Sequence, residues 1–245
     1  MNSISPTPGR SAIGNAGAAF LLIILIIVTE YFCRHFLIFW IPTIGTLRVN
    51  DMLSLVCAYT ALAGGLGLLI KVDWGAELIG IGQALRACVT STRYTVWIVA
   101  AVLSLLILPV PDRVISANLH LPLLTTSSRS SAVWLPALAP VLKAVSVIFV
   151  NGLFVPVAEE FLWRGFIQVR LMRVVSPALA IGITAVFFSL KHVIVDASFG
   201  RLLTVTALGI IFGILAHRRS WRASAALHIL INTLATIAAL AFGLL

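Results

Sequence analysis

The chain has 245 residues, of which 60% are hydrophobic and only 10% charged, and its mean hydropathy is +1.10. A soluble domain carries about 25% charged residues, so this composition excludes a water-coated globule and leaves an integral membrane protein. The net charge of +9 comes from basic residues placed singly or in short clusters at the ends of apolar runs. That placement orients membrane proteins, and it lacks the clustered basic face that nucleic acid requires.

Residues 1–15 are small and polar, with Pro6, Pro8, Gly9 and Arg10, and are expected to be disordered. The apolar run Ala16–Val28 leads into Thr29-Glu30-Tyr31-Phe32 without a small-residue cleavage site. It therefore reads as an uncleaved first membrane helix rather than a secretory signal. Glu30 and Arg34 have the i,i+4 spacing of a helical ion pair, a structural feature near the membrane boundary.

Further apolar runs recur at Met52–Ile70, Tyr94–Val110, Ala132–Phe154, Pro177–Val195, Leu202–Ala216 and Ala223–Leu245. Most approach the roughly 18–20 residues that cross a bilayer. The mixed stretch Trp74–Thr92 reads as an interfacial or loop helix. Pro109-Val110-Pro111-Asp112 reads as a helix end, and Thr125–Ser131 as a polar loop. Val155-Pro156 is a point where the fourth span could break in two. The expected fold class is all-α, a polytopic transmembrane helix bundle of about seven to eight spans. The basic residues place the N-terminus in the cytoplasm, in what is expected to be a bacterial inner (plasma) membrane. Cys33, Cys57 and Cys88 are widely spaced, with no Cys-x-x-Cys pair, and read as small hydrophobes. Trp40, Trp74, Trp97, Trp134 and Trp221 lie where an aromatic belt would sit.

Two of the chain's four glutamates are adjacent, in Val157-Ala158-Glu159-Glu160-Phe161-Leu162-Trp163-Arg164-Gly165. Ionisable groups at membrane depth are costly and usually functional. Neighbours on a helix point about 100° apart, so the two carboxylates serve different partners. Glu160 and Arg164, at i,i+4, can brace one face, which leaves Glu159 for the bundle interior. The plainer reading is a salt bridge that steadies a helix end. His192 closes the next apolar run and His228 opens the last, with Asn232 four residues on along the same face. Taken singly, a histidine is more often a core residue, and an asparagine can simply bond a neighbouring helix. Lys191 reads as a snorkelling boundary residue. Asp196 reads as a loop aspartate at the membrane surface, although it could orient His192. Gly182, Gly209 and Gly213 would let helices approach closely.

Together, Glu-Glu-x-x-x-Arg at Glu159–Arg164, Phe-x-x-x-His at Phe188–His192 and His-x-x-x-Asn at His228–Asn232 resemble one family. It is the CAAX prenyl protease and bacteriocin-processing family of intramembrane proteases, also called Abi. Leu208-Gly209-Ile210-Ile211-Phe212-Gly213 resembles its glycine-containing helix. The likeness covers residues 132–245, expected to form the protease domain, and leaves 16–131 as an N-terminal membrane half of unrecognised role. It implies that Glu159 and His192 activate a water, that His228 and Asn232 donate to an oxyanion, and that Glu160 and Arg164 support them. If the family's metal-dependent description applies, Glu159, His192 and His228 would hold zinc. No His-Glu-x-x-His pair is present, so the metal-free mechanism is preferred and zinc is kept as the alternative cofactor. The implied partners are the lipid bilayer and a peptide or protein substrate at the membrane. The competing functions are an inactive scaffold or immunity protein of the same fold and, less well supported, a transporter.

Overall fold

The computed structural model describes residues 8–37, 49–119 and 139–242, and their regular structure is helical throughout. Helix α1 (Pro8–Phe32) continues through a wide turn, Cys33–Leu37. Helix α2 (Val49–Tyr59) runs through a second wide turn, Thr60–Gly64, into α3 (Gly65–Leu69). Helix α4 (Trp74–Thr90) precedes α5 (Thr95–Ile107) and α6 (Pro109–Asn118). Then α7 (Ala139–Val147), α8 (Val155–Glu160) and α9 (Val169–Leu171) form one long rod, joined by π-helical stretches at Ile148–Phe154 and Phe161–Gln168. The rest is α10 (Pro177–Asp196), α11 (Leu202–Arg218) and α12 (Trp221–Ala241).

Among the described residues, six helices are long and apolar enough to cross a membrane. The expected span at Leu202–Ala216 is the shorter apolar helix α11, whose 17 residues fall short of the ~20 that cover a bilayer core. The rod is counted once, because it does not break at Val155-Pro156. A proline removes one backbone N–H and crowds the preceding turn, and the wider π turn before it makes room. Pro109-Val110-Pro111-Asp112 does mark a helix end, since α5 stops at Ile107, and it also opens α6, where proline is suited to the first turn. The chain is helical from Pro8, so residues 8–15, expected to be disordered, belong to α1. Asn15 there accepts a hydrogen bond from Arg170 Nη1 at 3.3 Å. Residues 1–7, the loop Thr125–Ser131, the start of the run at Ala132, Trp40 and Trp134 lie outside the described residues.

Packing around the rod is tight. Trp163 is fully buried and meets the Phe188 ring edge-on at 5.5 Å. Phe161 lies between Trp74 and Trp221, with ring centroids 4.9 and 5.6 Å away. Those two tryptophans therefore serve the core. Helices α10 and α11 touch where glycine removes a side chain. A Cβ on Gly209 would stand 3.0 Å from Ala185 Cβ, and one on Gly213 would stand 2.9 Å from Ile181. Gly182 does not share this role, since open space surrounds it. Helix α4 lies along α12, tied by two bonds from Arg222 to Glu77 at 2.5 and 2.7 Å. Burial alone pushes the Cys88 thiol on α4 up to about 11, as suits an inert packing residue.

The start of α11 is capped from another helix. Asp112 on α6 is fully buried and accepts from Leu203 N at 2.7 Å, Thr204 N at 2.9 Å and Thr204 Oγ1 at 2.6 Å. The two backbone N–H groups are among the donors that a helix start leaves without intrahelical partners.

Candidate active site

Glu159 and Glu160 form the end of α8, just before the stretch Phe161–Gln168. Short π-helical insertions recur at functional sites. As their adjacency requires, the two carboxylates turn to different neighbours.

Glu160 organises one side. Its Oε1 accepts from Arg164 Nη1 at 2.9 Å and from His228 Nδ1 at 3.0 Å, and its Oε2 accepts from Ser224 Oγ at 2.6 Å. Glu160 and Arg164 are both buried, so the i,i+4 brace expected from the spacing forms. Arg164 also donates to the Gly209 carbonyl at 3.2 Å and lies 4.4 Å over the Phe188 ring. A buried guanidinium needs such matched partners. Glu160 does more than brace, because it reaches α12 and fixes His228.

Glu159 organises the other side. Its Oε1 lies 2.7 Å from the Tyr59 hydroxyl and 2.7 Å from Lys191 Nζ. His192 Nε2 stands 3.9 Å from the same oxygen. His192 Nδ1 is 2.8 Å from the Phe188 carbonyl. A carbonyl can only accept, so Nδ1 carries the hydrogen, and in the neutral ring Nε2 then holds the lone pair. This gives the Phe-x-x-x-His spacing a physical meaning. Phe188 fixes the tautomer through its backbone, while its ring packs against His192 at 4.9 Å and beneath Arg164.

His228 stacks on Phe212, with ring centroids 4.6 Å apart. Its Nδ1 faces the Glu160 carboxylate and so carries a hydrogen. Donation from Nε2 as well requires a hydrogen on both nitrogens, with Glu160 as the counter-ion. Asn232 donates through Nδ2 to the Asn151 carbonyl at 3.1 Å, and Thr233 Oγ1 lies 3.4 Å from the Gly152 carbonyl. Val155 N bonds five residues back, to Val150 O. Pro156, next in line, has no N–H to offer. Neighbouring helices commonly satisfy carbonyls freed in this way.

Glu159, His192, His228 and Asn232 border one cavity of about 450 Å³, together with Asn151 and Lys191. The four residues that the sequence singles out thus come to one place. Four more were not foreseen. Ser224 holds Glu160, while Tyr59, Lys191 and Glu30 surround Glu159. Lys191 is no boundary residue. It is buried, and its Nζ reaches Glu159 Oε1, Glu30 Oε2 at 3.1 Å and Tyr59 Oη at 3.2 Å. A lysine and a glutamate inside long apolar runs were the available signals. Glu30 does pair with Arg34, at 3.0 Å, but also belongs to this buried cluster. Asp196 pairs with Arg34 at 3.1 Å and with Arg201; the hydrogen bond that orients His192 goes to Phe188.

The zinc alternative does not fit these residues. Among the described residues, no group of three or more His, Cys, Asp and Glu side chains is placed to hold a metal ion. An ammonium already sits on Glu159 Oε1 and would repel a cation there, and His228 spends Nδ1 on Glu160.

Residues 141–234 match the model of the Rce1-like family, described as type II CAAX prenyl endopeptidase Rce1-like. The match spans all three motifs, so the resemblance read from them holds over that segment. No curated protein and no solved structure matches the chain.

Proposed function

With the family match over residues 141–234 as premise, we propose that this membrane protein is an intramembrane endopeptidase. It hydrolyses a peptide bond in the cavity between α8, α10 and α12, by a metal-free route. The observation that carries the reading is the juxtaposition of Glu159 and His192, with Oε1 and Nε2 3.9 Å apart, in a cavity that His228 and Asn232 also border.

Glu159 and His192 Nε2 are both acceptors, and a water can donate one hydrogen to each. The water oxygen attacks the peptide carbonyl carbon as Glu159 takes its proton, the task of a general base. The carbonyl π electrons move onto oxygen. That oxyanion receives hydrogen bonds from the second Asn232 N–H and from His228 Nε2–H. When the intermediate collapses, the C–N bond breaks and its electron pair stays on nitrogen, which takes the proton from Glu159. The products are a carboxylic acid and an amine. Donors aimed at the developing charge act most strongly where water is excluded. Glu160, Arg164 and Ser224 hold His228 for this task.

The basic residues support a cytoplasmic N-terminus and an inner-membrane location, and the substrate is a peptide or protein at the membrane. The test is cleavage of a quenched-fluorescent peptide library by the purified protein in proteoliposomes. Glu159→Gln should abolish cleavage, and His228→Ala should lower it by about 10²–10³-fold, with both variants still inserted and monodisperse. Wild-type cleavage that survives Glu159→Gln would sink the reading. A scaffold would show no cleavage by wild type, and a transporter would show solute flux independent of peptide.

A further inference from the structure

Lys191 borders the cavity, the buried Tyr59 stands beside it with its hydroxyl 3.2 Å from Nζ, and the hydrolytic scheme gives neither a task. A buried ammonium persists only where its charge and hydrogens are matched. Lys191 has three hydrogens and three partners, at Glu159, Glu30 and Tyr59. Glu30 is held in turn by Arg34 at 3.0 Å. Charges therefore alternate along Arg34, Glu30, Lys191 and Glu159, from α1 through α10 to α8.

The consequence falls on one oxygen. Lys191 donates to Glu159 Oε1, and the single Tyr59 hydrogen is shared between that oxygen at 2.7 Å and Glu30 Oε2 at 2.8 Å; no hydrogen bond from a described residue reaches Glu159 Oε2. The terminal torsion of a glutamate is broad and nearly two-fold, so an unheld carboxylate would present either oxygen in many planes. Lys191 on Oε1, joined by Tyr59 whenever its hydrogen turns to that oxygen, restricts it to one.

We propose that Lys191, backed by Glu30 and Tyr59, is a positioning residue for Glu159, pinning Oε1 and thereby aiming Oε2 at the water in the cavity. The inference rests on the hydrolase reading. It also gives the N-terminal half a part in the site, because α1 supplies Glu30 and α2 supplies Tyr59, both outside the matched segment.

The test uses full-length protein in proteoliposomes, with two readouts. One needs no substrate: dicyclohexylcarbodiimide, which reacts with protonated carboxyl groups in apolar surroundings and spares carboxylates paired with a cation, is followed by mass spectrometry of the Glu159 peptide. Glu159 should resist in wild type and become labelled in Lys191→Met. The other is cleavage of the peptide library's best reporter. Lys191→Met should lower kcat by about 10²-fold, the cost of a reacting group misplaced by about 1 Å, and leave KM within about twofold. Methylammonium should partly restore the rate of Lys191→Ala. Tyr59→Phe removes only a hydroxyl, so it keeps the test open if the lysine variants do not fold, and it should lower kcat about tenfold on the same argument. Unchanged kcat in the folded variants, or a loss carried by KM, overturns the proposal. If wild type cleaves no reporter, the hydrolase reading fails by itself. The pinning of Glu159 is then judged by labelling, which supports it if raised in Lys191→Met and overturns it if unchanged.

Discussion

Asn232 donates to the Asn151 carbonyl at 3.1 Å, and that carbonyl is free because Pro156 has no N–H to reach five residues back. A proline in the rod therefore fixes a side chain on α12. Asn232 is held by one amide hydrogen, which leaves the other for the cavity. Gly152 permits the approach, since a Cβ there would stand 2.8 Å from Thr233 Oγ1.

Pro156→Ala tests this link. The new N–H would compete for the carbonyl that Asn232 now holds, and Asn232 would lose its fixed direction. kcat should fall about tenfold, within the range that small misplacements cost, with KM little changed. Thermal stability should not fall, because alanine favours a helix over proline. An unchanged kcat in steady-state cleavage would separate Pro156 from the orientation of Asn232.

The parts of the site legible in the sequence were those set by spacing within one helix. Glu160 with Arg164, Phe188 with His192 and His228 with Asn232 each lie four residues apart, and the helical repeat puts such pairs together. Residues that meet across helices had no such signal. Lys191, Tyr59 and Glu30 join through three separate helices, and Lys191 beside the end of an apolar run looked like a boundary residue. Pro156 misled for a related reason: a proline reads as a break, and α5 does end just before Pro109, yet a π turn absorbs Pro156. Gly182 and Gly209 look alike in sequence, but only Gly209 faces a neighbouring helix.

The donor set predicts indifference to metal. Lys191 Nζ at 2.7 Å from Glu159 Oε1 already neutralises the carboxylate that a zinc ion would need, and like charges repel strongly at such range in a protein interior. Purified protein should carry no stoichiometric zinc by elemental analysis. Cleavage should survive prolonged chelation without a change in kcat. Loss of activity that returns on adding zinc would contradict the metal-free route.

Gly209→Ala and Gly182→Ala should behave differently. At position 209 a methyl would lie 3.0 Å from Ala185 Cβ and 3.1 Å from its Cα, so α10 and α11 must separate. Overpacking of this kind costs about 1–3 kcal/mol, and the separation would also strain the Arg164 bond to the Gly209 carbonyl. At position 182 nothing lies within 4 Å, so alanine should be neutral or mildly stabilising through helix propensity. Comparing melting temperatures in one detergent checks both, and equal losses would show that contact at Gly209 does not govern the packing.

Asp112→Ala should weaken the fold without touching the chemistry. The carboxylate accepts three hydrogen bonds at the start of α11. Alanine would strand their donors away from water, where each stranded group costs about 1–3 kcal/mol. Partial relaxation of the helix end would offset some of that, for a net loss of about 2 kcal/mol, near the upper limit for helix caps. For a chain of this size that loss lowers Tm by about 4–8 °C. Asp112→Asn keeps one acceptor oxygen and should recover part of the loss. Cleavage measured well below the transition should keep its wild-type kcat, since Asp112 does not border the cavity. A Tm equal to wild type in the alanine variant would mean that α11 holds its first turn without this cap.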